Sequence, residues 1–108
     1  MEFDVDACTL PTPERPARLA EFDGLFAGLR GLHRAEPGRL RLRLADAPGV
    51  EERARDLTAR EAACCTFFDF AVRCAAGDVV VDVRVPPAHV AVLDGLAAQA
   101  EAARTGRR

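Results

Sequence analysis

The chain has 108 residues, 49% apolar and 30% charged, with a formal charge of −2. That length can bury roughly 60–70% of the unfolded surface, enough for one core, so neither a second domain nor a disulfide framework is required. The charge argues against general nucleic-acid binding, and no apolar run approaches the ~18 residues of a membrane span.

The first residues, Glu2-Phe3-Asp4-Val5-Asp6, are acidic and lack the apolar core of a signal peptide, which points to a cytoplasmic setting. Alternation of Phe3, Val5 and Ala7 with Asp4, Asp6 and Cys8 predicts a short first strand. Thr12 and Pro13 suit a helix start, and Leu19, Phe22, Leu25, Phe26 and Leu29 make the apolar stripe of that helix. Gly28 and Gly31 weaken its end, and a strand at 32–35 follows. Glu36-Pro37-Gly38 turns the chain into Arg39-Leu40-Arg41-Leu42-Arg43-Leu44, whose strict alternation sends leucines to the core and arginines to the other face. Three aligned arginines could hold phosphate or nucleic acid. The plainer reading is a solvated sheet face, opposite Asp4 and Asp6 on a neighbouring strand.

Residues 50–65 read as a central helix and 66–74 and 79–85 as a hairpin around Ala75-Ala76-Gly77-Asp78. Pro86-Pro87 opens a last helix to about Ala103, and 105–108 should be a frayed tail. The expectation is one α+β domain over residues 1–104, in the order β-α-β-β-α-β-β-α. Its mainly antiparallel sheet carries the helices on one face. The outer face, with Arg39, Arg41, Arg43, Asp69, Arg73, Asp82 and Arg84, then meets either solvent or a second subunit in a homodimer.

Chemistry concentrates in Glu61-Ala62-Ala63-Cys64-Cys65-Thr66-Phe67-Phe68. Counting about 100° per residue from Val50 puts Leu57 near −20°, Glu61 near +20°, Cys64 near −40° and Cys65 near +60°. Glu61 is therefore mid-stripe, where an ionised carboxylate needs a cation, donors or a proton. Arg60, Arg73 or a helix cap could supply it. Cys64 shares its face with Glu61 at i and i+3, and an extended Cys65 would re-aim its own sulfur toward the same place.

Hairpin positions that sum to about 153 pair Cys74 with Val79 and, followed back, bring His89 near Cys64. Cys74 then lies roughly 30 Å from Cys65 along the strand and is a packing residue. Glu61, Cys64, Cys65, His89 and Cys8 are thus the candidate ligands of a soft metal ion, Zn, Hg or Cu(I), because thiolates select such ions over Mg or Ca. The ligand is a metal ion or a small thiol-reactive molecule. The alternatives are a thiol-dependent enzyme and a dimerising, ligand-holding module.

The combination of Cys8-Thr9-Leu10, Arg18-Leu19-Ala20-Glu21-Phe22, Glu61-x-x-Cys64-Cys65-x-Phe67-Phe68 and Val83-x-Val85-Pro86 resembles a family of small actinobacterial proteins. Similar domains occur beside or fused to regulators of the mercury-resistance, MerR-like type, which implies a soft-metal connection. Many of those relatives have proline where this chain has Thr66. A shorter likeness, about one strand long, is to the Cys-Cys-x-x-x-Phe-Phe segment of organomercurial lyase. It implies Cys64 or Cys65 as one thiol, Cys8 as the second and Glu61 as proton carrier.

Overall fold

The structure, a computed structural model, describes residues 15–104. The strand expected at 3–8, with Cys8, and the tail at 105–108 lie outside the described residues. Within them the chain forms α1 (Arg15–Phe26), β1 (Leu29–Glu36), β2 (Arg39–Ala45), α2 (Val50–Cys64), β3 (Asp69–Ala75) and β4 (Asp78–Arg84). A 3₁₀ turn (Pro87–His89) then leads into α3 (Val90–Arg104).

The strands pair antiparallel in the order β1-β2-β4-β3. Leu40, Leu42 and Leu44 of β2 and Val79, Val81 and Val83 of β4 are buried on the inner face. Phe22, Leu25 and Phe26 of α1, Ala54 and Leu57 of α2 and Leu93, Leu96 and Ala100 of α3 close over them. The fold is α+β, with the helices on one face of an antiparallel sheet.

Two boundaries differ from the sequence-based expectation. Helix α1 stops at Phe26, with Ala27 donating to Asp23 O, and Leu29 already belongs to a strand, where it still reaches the core. The low helix propensity around Gly24 and Gly28 lets pairing with β2 win, and Ala45 N–H donates to Gly28 O at 2.9 Å just beyond that ladder. Leu19, expected in the buried stripe, is the one large apolar side chain left exposed among the described residues.

The hairpin register is as the sum of 153 predicts, running from Asp69↔Arg84 to Cys74↔Val79. Its loop is shorter than expected, because Ala75 and Asp78 also pair. Ala76 and Gly77 alone make the turn, with φ of 53° and 80°, the left-handed pair that a two-residue hairpin with right-twisted strands requires.

Carboxylates of β4 order the outer sheet face, while Asp4 and Asp6, expected opposite the arginines, lie outside the described residues. Arg41 donates to Asp82 at 2.7 Å, and Arg73 approaches the same carboxylate at 3.5 Å. Arg43 and Arg30 both reach Asp78, each at 3.4 Å. Val80 lies buried between Arg43 and Arg73, its cross-strand neighbours, whose aliphatic stems suit them to cover it.

Candidate functional site

Helix α2 starts after Gly49, whose φ of 83° supplies the left-handed turn out of β2. It buries Ala54, Leu57 and Glu61, on the stripe that periodicity from Val50 predicts, and Thr58 beside them. Thr58 stays compatible with that face because its hydroxyl donates back to Ala54 O at 2.7 Å. Glu61 ends the stripe at 6% exposure, so its carboxylate has been taken almost entirely out of water.

The compensating cation is Arg18 of α1. Its Nη1 donates to Glu61 Oε1 at 2.8 Å, and the two side chains are only 12% and 8% exposed. The same guanidinium sends Nη2 toward Cys64 Sγ at 3.9 Å. One largely shielded arginine therefore faces both the carboxylate and the thiol at the C-terminal end of α2.

Arg60 and Arg73, the partners suggested by the sequence, are engaged elsewhere: Arg60 with Glu21 and Asp56, Arg73 with Asp82. Periodicity offers Leu19 as the first member of the α1 stripe and so passes over Arg18. The signal was nevertheless present, since Arg18, Phe22 and Leu25 follow i, i+4 and i+7.

Arg18 is held from behind by Glu21, at 3.7 Å from its Nε, and Glu21 in turn accepts two hydrogen bonds from Arg60 at 2.8 and 3.1 Å. These bonds from Arg60 hold the Glu21 carboxyl below its ordinary range and make the Arg60 guanidinium still harder to deprotonate. Because the Glu21–Arg60 pair is well exposed, its contribution is about 0.2–1 kcal/mol. It is present above the ordinary glutamate pKa and lost as pH falls through the depressed folded value.

The helix ends between the two cysteines. Cys64 is its last residue, whereas Cys65 is extended, with φ −117° and ψ 91°, and its N–H donates to Glu61 O at 2.7 Å. Phe68 N–H then closes a turn onto Cys65 O at 3.1 Å. Cys64 is half-buried and Cys65 fully buried, at 0% exposure. Cys65 is disulfide-bonded, where the sequence suggested a thiol or a metal ligand; Cys64 and Cys74 are thiols.

His89 sits at the end of the 3₁₀ turn, half-buried, and its ring stacks on Phe67 with centroids 4.1 Å apart and an 8° interplanar angle. The β3–β4 ladder ends at Asp69↔Arg84, so the register that brings His89 near Cys64 does not itself extend to His89. Phe67, Phe68 and Phe70 continue the stack at 4.7 and 4.9 Å. The aromatic row flanks the Cys65–Phe68 turn and shields that side of it from water.

Cys74 stands at the other end of α2, about 20 Å away by helix rise, where Glu51 accepts from its thiol. It is exposed rather than packed. The Glu51 carboxylate pushes the Cys74 thiol up, and the contact lowers Glu51 in return. The thiol form is favoured below the ordinary cysteine value, and that preference is lost as pH rises through the raised one. Alkylation of Cys74 at pH 8 should therefore be slower than that of an unfolded-chain thiol, and Glu51→Gln should speed it. Equal rates in the two proteins would show that the carboxylate does not reach the sulfur in solution.

Among the described residues, no three His, Cys, Asp or Glu side chains converge as a metal-binding group, and no helix is long and apolar enough to cross a membrane. The fold and the site define a small α+β protein with a sheltered sulfur, carboxylate and guanidinium cluster where a helix hands over to a hairpin. Compared with known protein families, with curated proteins and with solved structures, the chain matches none.

Proposed function

We propose that the Cys64-Cys65 end of α2 takes up a soft metal ion through its sulfurs, in a cytoplasmic setting, and serves to bind or sense that ion. The observation that carries this reading is the oxidised state of Cys65: a buried sulfur bonded to a second sulfur becomes, on reduction, two thiols already held together. Such a pair matches the two-sulfur coordination of Hg(II) or Cu(I). A closed zinc shell needs four ligands, so zinc fits this donor set less well.

Cys64 is the proposed further sulfur of the site, together with Cys8, a candidate ligand of the sequence that lies outside the described residues. Glu61 and His89 support the site rather than ligate: Arg18 occupies the carboxylate, and the imidazole is stacked on Phe67. Arg18 also offsets part of the negative charge that thiolates and Glu61 bring together.

The test is metal uptake by reduced protein, read by competition with a chromogenic chelator. Wild type should hold about one Hg(II) or Cu(I) per chain. The Cys64→Ser, Cys65→Ser variant should lose stoichiometric uptake, and retention of the ion by that variant would end the proposal.

A second reading is favoured by the Arg18–Cys64 contact, which joins a thiol and a carboxylate through one guanidinium. In a thiol-dependent cleavage of a carbon–mercury bond, mercury passes to sulfur and Glu61 relays the thiol proton to the departing carbon. Glu61→Gln separates the two readings. It should leave uptake of Hg(II) intact in both, and abolish release of the hydrocarbon from an arylmercurial only if turnover occurs.

A further inference from the structure

The outer face of the sheet, which none of the described helices covers, has a charge unlike the rest of the molecule. Six guanidiniums, those of Arg30, Arg39, Arg41, Arg43, Arg73 and Arg84, stand there against four carboxylates, those of Glu36, Asp69, Asp78 and Asp82, a surplus of two positive charges in a chain of net −2. Height sharpens the imbalance. Asp78 and Asp82 are sunk to 10% and 30% exposure, while the arginines that bridge to them remain 46–59% exposed. Over Asp78 and Asp82 a partner approaching this face meets guanidinium first, whereas Glu36 and Asp69 stand exposed at one end.

Two features give the surface a direction. Every outward position of β2 from Arg39 to Arg43 is arginine, spaced about 6.8 Å apart by the rise of an antiparallel strand. That spacing is comparable with the separation of successive phosphates on an extended nucleic-acid strand. At one end of the row Arg39 lies directly opposite Arg84 on β4, a like-charged cross-strand pair that costs stability unless an anion lies between. The only ion pair of Arg39 among the described residues is an exposed one with Glu36 at 3.6 Å. The concavity beside this pair, about 370 Å³, is lined by His33, Arg41 and Asp82 as well.

We propose that this face docks the phosphate backbone of a single-stranded nucleic acid along the β2 arginine row. The surplus charge opposes its use as a homodimer contact, because a two-fold contact would set the same positive surface against itself. Among the described residues no phenylalanine lies on the face and His33 is its one aromatic ring, so backbone contacts dominate and binding should be largely indifferent to sequence. The flat sheet raises no helix from this side to enter the groove of a duplex.

The test uses the full chain and a fluorescent dT20 oligonucleotide, with affinity read by anisotropy. With about four phosphates engaged, affinity should fall about 50-fold between 50 and 200 mM salt. The double variant Arg39→Ser, Arg84→Ser should bind more weakly and lose about 1.4 from the salt slope. Its melting temperature should be unchanged or higher, since the opposed charges are gone and no buried carboxylate loses its partner. Absence of binding at 50 mM salt, or unchanged binding by the variant, overturns the proposal. So does tighter binding of the corresponding duplex, or equal competition by poly-glutamate, which would make the face a protein-docking surface.

Discussion

Arg18→Ala should destabilise the protein by about 3–5 kcal/mol, a large share of the 5–15 kcal/mol that holds a domain of this kind together. The magnitude follows from burial: the substitution leaves Glu61 at 6% exposure with its nearest cation removed and strips the Cys64 sulfur of its guanidinium neighbour. The intact pair is a different matter. Replacing both members with apolar side chains, as in Arg18→Met with Glu61→Leu, should return stability to within about 1 kcal/mol of the original, because two desolvated charges are removed together.

Urea unfolding of the two single variants and the double variant forms a cycle with a coupling of several kcal/mol. A single-variant cost below about 1 kcal/mol, the range of exposed pairs, would mean that water reaches this pair in solution. The cycle also separates stability from chemistry. A Met/Leu protein that is folded and still takes up Hg(II) assigns the pair to architecture, whereas a folded protein that has lost uptake assigns it to the site.

Reduction is expected to act on stability and on function in opposite directions. Breaking the Cys65 disulfide should cost about 2–4 kcal/mol by freeing the unfolded chain from a cross-link. It also releases the sulfurs that the proposed ion needs, so uptake should appear only after reduction. A soft ion present at about 1,000 times its dissociation constant should then restore about 4 kcal/mol. Melting curves of oxidised, reduced and reduced-plus-Hg(II) protein should therefore run high, low and high. Cys65→Ser should melt at the low temperature whether or not reductant is present. If oxidised and reduced wild type melt together, Cys65 is not cross-linked in solution, and the argument from paired sulfurs fails with it. In the cytoplasmic setting proposed above such a bond should be transient, which suits a site that cycles between the two states.

Much of this protein was legible residue by residue. The unbroken alternation of β2 and the register of the β3–β4 hairpin follow from a two-residue backbone period. The same kind of local geometry put Glu61 in the buried stripe of α2 and turned Cys65 away from the helix as an extended residue. The neighbouring chain was harder to read. A shift of one residue around α1 exchanged Leu19 for Arg18 on the buried face, because both positions lie close enough to the stripe for periodicity to admit either. Docking of α1 against α2 decided between them, since the buried carboxylate needed a cation and the apolar side chain could be left in water at small cost.

Local sequence thus determined which faces are apolar and that one acid and two sulfurs would come to the end of one helix. Only the tertiary structure decided what meets them there. The guanidinium comes from a helix 43 residues earlier in the chain, and the aromatic stack from the turns on either side of the hairpin. Periodicity is set by the backbone within a few residues, whereas the partner of a buried charge is chosen by how whole elements pack, and no short window of sequence contains that information.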